Sequence, residues 1–148
     1  MRARSRRFMD FAIAEAKLGL EEEGIPIGAV LARDGRVIGR GHNRRIQHGN
    51  PILHAEIDCL RDAGRIGNYR GTVLYSTLMP CFLCAGAVVQ FGIKVVVVGE
   101  SKTLSGTLEF LESHGVRVLD LDLKKPRKMM EKFIKENPEL WNEDIGRL

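Results

Sequence analysis

The stretch that decides the fold is VLYSTLMPCFLCAGAVVQFGIKVVVV, residues 73–98. Val73 to Thr77 opens it with β-branched and aromatic side chains, the composition of a strand. Lys94 to Val98 closes it, and four consecutive valines leave that second strand no polar face, so it is buried on both sides. Between them Pro80 to Phe91 has the length of a helix, opened by a proline whose missing N–H is no loss in a first turn. A helix crossing between two short strands calls for parallel pairing and for helices layered on the sheet.

Reading outward, Ser5 to Glu23 carries an apolar stripe at Phe8, Phe11, Ala12, Ala16 and Leu20, a helix that Gly24 should stop. Ile27 to Ala32 and Val37 to Arg40 flank Asp34-Gly35, the dipeptide of a tight hairpin, and predict an antiparallel pair. Ile52 to Ala63 reads as a helix ending at Gly64, and Ser105 to His114 as one capped by Gly115. Val116 to Leu121 is a fifth strand, Pro126 to Glu136 a helix, and Pro138 to Leu148 a short helix or ordered tail. The expected architecture is α/β: a three-layer α/β/α sandwich around a five-stranded mixed sheet.

The chain has 148 residues, 44% hydrophobic and 28% charged, which suits one domain over residues 1–148 and excludes disordered, collagen-like and coiled-coil chains. Its longest apolar stretch, Ile93 to Val98, is far too short to span a bilayer, and no apolar segment follows Arg2, Arg4, Arg6 and Arg7. No membrane or secretory segment is expected. Three cysteines make a disulfide framework a poor explanation, so a reduced, cytoplasmic setting is expected and cysteine is better read as a ligand. The net charge of +4 equals the four arginines of the N-terminal tail. A basic end plus a basic turn at Lys124, Lys125, Arg127 and Lys128 is not the continuous face a phosphate backbone requires, so nucleic acid is not expected as a partner.

The chemistry lies in His54-Ala55-Glu56 and, after 23 intervening residues, Pro80-Cys81-Phe82-Leu83-Cys84. Cys81 and Cys84 stand three apart at a helix start, so both sulfurs leave one face and the helix N-terminus favours thiolates. Two thiolates and the His54 imidazole suit one tetrahedral Zn²⁺ per chain, with a fourth position left for water. Glu56, near the first turn of its helix, can lean over the same point and move protons without ligating the metal. A lone Cys-x-x-Cys would read as a structural zinc knuckle or a redox pair; the His-x-Glu element is what turns the reading towards catalysis.

His-x-Glu followed by Pro-Cys-x-x-Cys is the signature of zinc nucleobase deaminases. The chain resembles the cytidine deaminase superfamily and within it the small fungal-type cytosine deaminases. The resemblance runs through Gly24-Ile25-Pro26-Ile27-Gly28, Gly39-Arg40-Gly41-His42-Asn43, Leu53-His54-Ala55-Glu56, Cys84-Ala85-Gly86-Ala87, Val97-Val98-Gly99-Glu100 and Trp141-Asn142-Glu143-Asp144-Ile145-Gly146. It implies a homodimer of deaminase-fold subunits that converts cytosine and water to uracil and ammonia in pyrimidine salvage. It implies further that His54, Cys81 and Cys84 bind zinc and that Glu56 shuttles protons. Asn43 matches the residue that meets the pyrimidine carbonyl and ring nitrogen, and Asp144 the carboxylate facing a ring N–H. Trp141 and Ile27 match residues that pack on the base, and the backbone of Ala55, Leu78 and Met79 the lining on the amino-group side.

Four features depart from that pattern, one of them Ala55, which adds a methyl beside the metal ligand where glycine is frequent. Met79 stands where a serine is usual, Phe82-Leu83 replaces a more polar pair, and Leu104 falls where an aromatic ring would cover the base. The alternatives are therefore a 5-substituted cytosine, isocytosine, guanine, an amino-triazine or a tRNA adenosine as substrate, or a non-catalytic zinc-stabilised module. Elsewhere, Cys59 reads as a small buried hydrophobe, His42 and His48 as loop residues, His114 as a solvated helix end, and Met129, Met130 and Phe133 as core or dimer surface. The segment from Trp141 onward reads as a lid over the base in a stretch otherwise poor in core residues.

Overall fold

The computed structural model describes residues 2–147. The hairpin lies where Asp34-Gly35 predicts it. Asp34 at φ 54° and Gly35 at φ 74° both take the left-handed conformation that a two-residue turn demands, and join β1 (Gly28–Arg33) to β2 (Arg36–His42). The register shifts between Leu31 and Ala32, where the pairing skips Ile38 and leaves a bulge. β3 (Thr72–Leu78), β4 (Val95–Glu100) and β5 (Arg117–Asp120) complete a sheet ordered β2-β1-β3-β4-β5. β1 runs antiparallel to both neighbours, whereas β3, β4 and β5 are parallel, so the sheet is mixed as expected.

The valine run packs to both sides. Val96 and Val98 join Leu31 and Leu74 in one apolar cluster with Ala55 and Cys59 of α3 (Ala55–Ala63) and Ala85 and Val88 of α4 (Phe82–Phe91). Val97 turns the other way, with Val30 and Tyr75, onto Phe8, Met9, Ala12 and Ile13 of α1 (Arg2–Glu21). Helices therefore cover both faces, and each fully buried valine contributes roughly 1.5–3 kcal/mol. Cys59 is a buried free thiol, as expected. Met130 and Phe133 of α6 (Lys124–Glu136) are core residues, and Met129 packs against the α1 cluster.

The structure corrects several boundaries. The N-terminal arginines belong to α1, which begins at Arg2, three residues before the expected start at Ser5. α1 is ended not by Gly24 but by Glu23, at φ 66°, while the Gly24 N–H reaches back to Gly19 O at 2.8 Å. α3 starts at Ala55 rather than Ile52 and α4 at Phe82 rather than Pro80, because His54 and Cys81 are their extended N-caps. A four-residue helix, α2 (Arg45–His48), follows β2 where only a loop was expected. α5 is confined to Leu108–Ser113, because Glu100 Oε2 takes the N–H groups of Lys102 and Thr103 at 2.8 and 3.0 Å and holds the preceding segment as a loop. α7 (Pro138–Asp144) is a helix as expected, and Leu148 at the end of that expected segment lies outside the described residues.

His42 is not a loop residue. It ends β2, is 2% exposed, and its ring stands 2.9 Å from Glu15 and 2.8 Å from Glu22, with Glu15 held to Arg40 at 2.7 Å. The hydrogen bond to Glu15, opposed by burial and helped by Glu22, raises the His42 pKa above its ordinary 6.5, and the bond to His42 lowers Glu15. A raised histidine stabilises the fold fully below pH 6.5 and loses that contribution as pH rises through its folded value. The lowered Glu15 requires a pH above about 4.5 for its own share. The melting temperature is therefore expected to decline above pH 6.5 in a way that His42→Gln abolishes. An unchanged decline in the variant, followed by circular dichroism, would remove this cluster as the cause.

Candidate active site

Two helix starts build the centre of the site. His54 caps α3 with φ −69° and ψ 164°, Cys81 caps α4 with φ −71° and ψ 178°, and neither side chain makes a capping hydrogen bond. N-cap positions ordinarily take Ser, Thr, Asp or Asn for that bond. Here the two side chains face each other instead. His54 Nδ1 lies 3.3 Å from Cys81 Sγ and 3.7 Å from Cys84 Sγ. With zinc bonds of about 2.0 Å to nitrogen and 2.3 Å to sulfur at the tetrahedral angle, such a pair should stand about 3.5 Å apart. All three donor atoms lie within 4.8 Å of one another, and among the described residues the group that could hold a metal consists of these three.

Charge agrees with that fit. The hydrogen bond from Cys84, opposed by burial and reinforced by His54, brings Cys81 down to about 4, which favours its thiolate. The same bond and burial push Cys84 well up. Burial works against a charged His54, but the Cys81 thiolate and Asp144 outweigh it and raise the imidazole to about 9. Both helix N-termini point their positive ends at this cluster, which favours thiolates.

Glu56, in the first turn of α3, is 4% exposed, and burial followed by the negative charge of Cys81 lifts its carboxyl to about 7. A carboxyl at that value can accept and return protons near neutral pH. Across the same chamber, Asn43 Nδ2 donates to Asp144 Oδ2 at 3.0 Å, and Asp144 Oδ2 lies 3.6 Å from His54 Nε2. Burial raises the Asp144 carboxyl, against the opposing effects of His54 and Asn43. Asn43 itself is 1% exposed and fixed at both ends, its N–H donating to Ile27 O at 3.0 Å and its Oδ1 accepting from Arg45 N at 3.0 Å.

The chamber has a volume of about 20 Å³. Ile27, Ala55, Leu78, Met79, Leu104 and Trp141 line it together with Asn43, His54, Glu56, Cys81 and Asp144, so one cavity gathers every expected site residue except Cys84, which is fully buried behind its wall. Leu104 is delivered by the loop that Glu100 anchors, with Thr107 Oγ1 donating to Pro80 O at 2.6 Å. Trp141 is 5% exposed and belongs to the main core cluster, and it is the one buried residue of α7, with Leu140 and Ile145 only partly buried beside it, as expected of a segment otherwise poor in core residues. A wider cleft of about 460 Å³ opens outside, with Phe82, Leu83 and Ile145 on its walls.

Sequence reasoning missed Arg45. Its Nε is 3.8 Å from Asp144 and its Nη1 3.5 Å from Glu143, tying α2 to α7 beside Asp144. Its place two residues after Asn43 was the available signal, but the pairing with a residue near the other end of the chain was not visible there.

The centre predicts about one zinc per chain in the purified protein, lost to a strong chelator together with activity. Cys84→Ala, which leaves two of three donors, is expected to fall well below stoichiometric metal by mass spectrometry. Full activity from metal-free protein would refute the assignment.

Residues 2–100 match the family described as the cytidine and deoxycytidylate deaminase zinc-binding region. A cytosine deaminase of Candida albicans is 43% identical over 141 residues, covering 93% of this chain and 94% of that one. A tRNA-specific adenosine deaminase of Streptococcus pyogenes serotype M1 is 39% identical over 107 residues, 70% of this chain and 63% of its own length. A solved structure from a study of A-to-I editing by tRNA:A34 deaminases superposes with a TM-score of 0.76 at 32% identity, over 84% of this chain and 99% of that one. A guanine deaminase structure from Bacillus subtilis reaches 0.59 at 32% identity over 63% and 62% of the two chains. With the match spanning α1 through β4 and the cytosine deaminase sharing nearly its whole length, the chain belongs to the zinc-dependent cytidine and deoxycytidylate deaminase family.

Proposed function

We propose that the protein is a zinc hydrolase that deaminates a free pyrimidine base, cytosine and water giving uracil and ammonia. The observation that carries this reading is the Asn43–Asp144 pair, joined at 3.0 Å and enclosed in one small chamber with Glu56 and the His54/Cys81/Cys84 group. A neutral amide beside a carboxylate offers the donors and acceptors that a pyrimidine edge matches, and a ring lacking them would leave buried groups unpaired. The 43% identity to a cytosine deaminase over nearly the whole chain supports the same substrate.

His54, Cys81 and Cys84 would hold the zinc, which when bound supplies the Lewis acidity that makes water a nucleophile source near neutral pH. Glu56 takes a proton from that water and delivers it to the ring nitrogen beside C4 as oxygen adds to C4. It then moves the remaining hydroxyl proton to the amino group, the C4–N bond breaks, and ammonia leaves. Asn43 meets the carbonyl and ring nitrogen, Asp144 accepts the ring N–H, Trp141 and Ile27 face the ring, and the backbone of Ala55, Leu78 and Met79 borders the amino group. A chamber of about 20 Å³ has room for a single water, not for a six-membered ring. The base therefore enters by displacement of α7 or of the Leu104 loop, and α7 acts as the lid.

The chain works as one domain over residues 1–148, as a homodimer and in the cytoplasm. Exposed Phe82 and Leu83 on the first turn of α4, with exposed Ile52 next in the chain to Pro51 of the cleft wall, supply apolar surface for a second copy; sedimentation would test it. No described helix is long and apolar enough to cross a membrane. The substrate is tested by ammonia release over cytosine, 5-substituted cytosines, isocytosine, guanine, amino-triazines, cytidine and an RNA hairpin. Cytosine is expected to lead, with cytidine at least about a hundredfold poorer because its ribose would meet the closed lid. Preference for guanine or for adenosine in the hairpin would overturn the pyrimidine assignment.

A further inference from the structure

Two carboxylates on α3 face the open edge of the sheet. β2 is the outermost strand, so N–H groups turned away from β1 have no strand to bond. Asp58 Oδ2 accepts the His42 N–H and Asp62 Oδ2 the Arg40 N–H, each at 3.0 Å. Two residues along a strand advance about 6.7 Å and four along a helix about 6 Å, so the two carboxylates keep step with the two donors. Gly41 permits the approach, since a Cβ there would lie 2.5 Å from Asp58 Oδ2 and 2.6 Å from Cys59 N.

Asp58 does more than Asp62. Its Oδ2 also accepts from Arg44 Nε at 2.8 Å, and its Oδ1 from Arg61 at 2.7 Å, in a side chain only 5% exposed. His42 and Arg44 are the two neighbours of Asn43. The Asp58 N–H in turn donates to His54 O at 2.8 Å, which places Asp58 one turn along the helix that carries His54 and Glu56.

We propose that Asp58 is a positioning residue for base recognition, fixing Asn43 relative to Glu56 by bonding both neighbours of Asn43 to the turn of α3 that follows His54. The proposal rests on Asn43 as the residue that reads the base. Without the grip, Asn43 samples positions from which it binds the base poorly in ground and transition states alike. Such a loss raises KM more than it lowers kcat.

The test compares Asp58→Ala, Asp58→Asn and Asp62→Ala in the zinc-loaded full chain, by kinetics on cytosine, zinc content and amide hydrogen exchange of residues 42–46. Asp58→Ala loses three hydrogen bonds, and loss of the two that hold the neighbours of Asn43, one of them to Arg44, is expected to raise KM about tenfold or more, with kcat within about threefold and zinc unchanged. Asp58→Asn, which keeps an acceptor oxygen, should recover most of the loss. Asp62→Ala removes a similar bond farther from Asn43 and should leave KM within about twofold. If Asp58→Ala does not fold, Arg44→Ala carries the test, with KM raised about threefold by loss of one grip. A KM within twofold of the parent, an equal rise in Asp62→Ala, or a fall in kcat that tracks lost zinc would overturn the proposal. Should the parent itself not deaminate cytosine, the substrate assignment fails, and exchange alone then decides the clamp. Faster exchange over 42–46 in Asp58→Ala than in Asp62→Ala supports it, and equal exchange overturns it.

Discussion

Replacing Glu56 by glutamine is expected to lower turnover of cytosine by about a thousandfold or more while leaving zinc content at about one per chain. The amide cannot accept a proton from water, and the proposed reaction asks the carboxylate for two transfers. A single general acid-base group contributes typically about 10²- to 10⁴-fold, so a shared group stands at the upper end of that range. A thousandfold corresponds to about 4 kcal/mol of transition-state stabilisation. The surroundings of Glu56 suit it to both transfers. It is almost wholly buried, and burial with the adjacent Cys81 thiolate holds its carboxyl at about 7, between accepting and donating at neutral pH. Glutamine has nearly the same shape, and Glu56 is not among the three metal donors, so metal should stay. The measurement is steady-state ammonia release beside metal analysis, and a variant that keeps a third of normal turnover would contradict the assignment.

Asp144→Ala should cost about 10²- to 10³-fold in kcat/KM on cytosine with zinc retained. The substitution removes the acceptor for the ring N–H and also strands the Asn43 amide, whose Nδ2 donates to Asp144 at 3.0 Å inside a buried chamber. Hydrogen bonds to a charged group contribute about 1.5–3 kcal/mol each, and two of them reach the stated range. Asn43→Ala should show a smaller loss of the same kind. Deletion of residues 141–148 should be more severe, since it takes away Asp144, the ring-facing Trp141 and the lid together. Because Trp141 belongs to the main core cluster, that deletion also lowers stability, and the point variants are the cleaner measure of recognition. Near-normal efficiency of both point variants on cytosine would mean that the true substrate presents a different edge.

The proposed metal-binding group and the proposed base-reading group were legible to different depths. His54, Glu56, Cys81 and Cys84 could be singled out because each half of the motif is local, a carboxylate two residues from an imidazole and two thiols one helical turn apart. Even there the local rules misled. Ile52 and Pro80 gave good grounds for earlier helix starts, yet His54 and Cys81 occupy N-cap positions without capping, in service of each other. Asn43 and Asp144 were legible only through resemblance, since an asparagine after a strand and an aspartate in a short terminal helix are ordinary surface choices.

What the sequence determined by itself follows from short-range physics. Four consecutive valines require burial on both faces, Asp34-Gly35 supplies the two left-handed residues of a tight turn, and the helix crossing from β3 to β4 calls for parallel pairing of those two strands, so the layered α/β fold was readable along the chain. What the tertiary structure decided depends on contacts between segments far apart. It placed β1 antiparallel between β2 and β3, drew Asn43 against Asp144 across 101 residues, and sealed Trp141 into the core. It also turned His42, expected in a loop, into a buried partner of two glutamates, and set Asp58 between the neighbours of Asn43. Periodicity and turn chemistry reach over a few residues only. Which buried polar groups satisfy one another is settled when packing removes water and leaves each donor a single acceptor within reach.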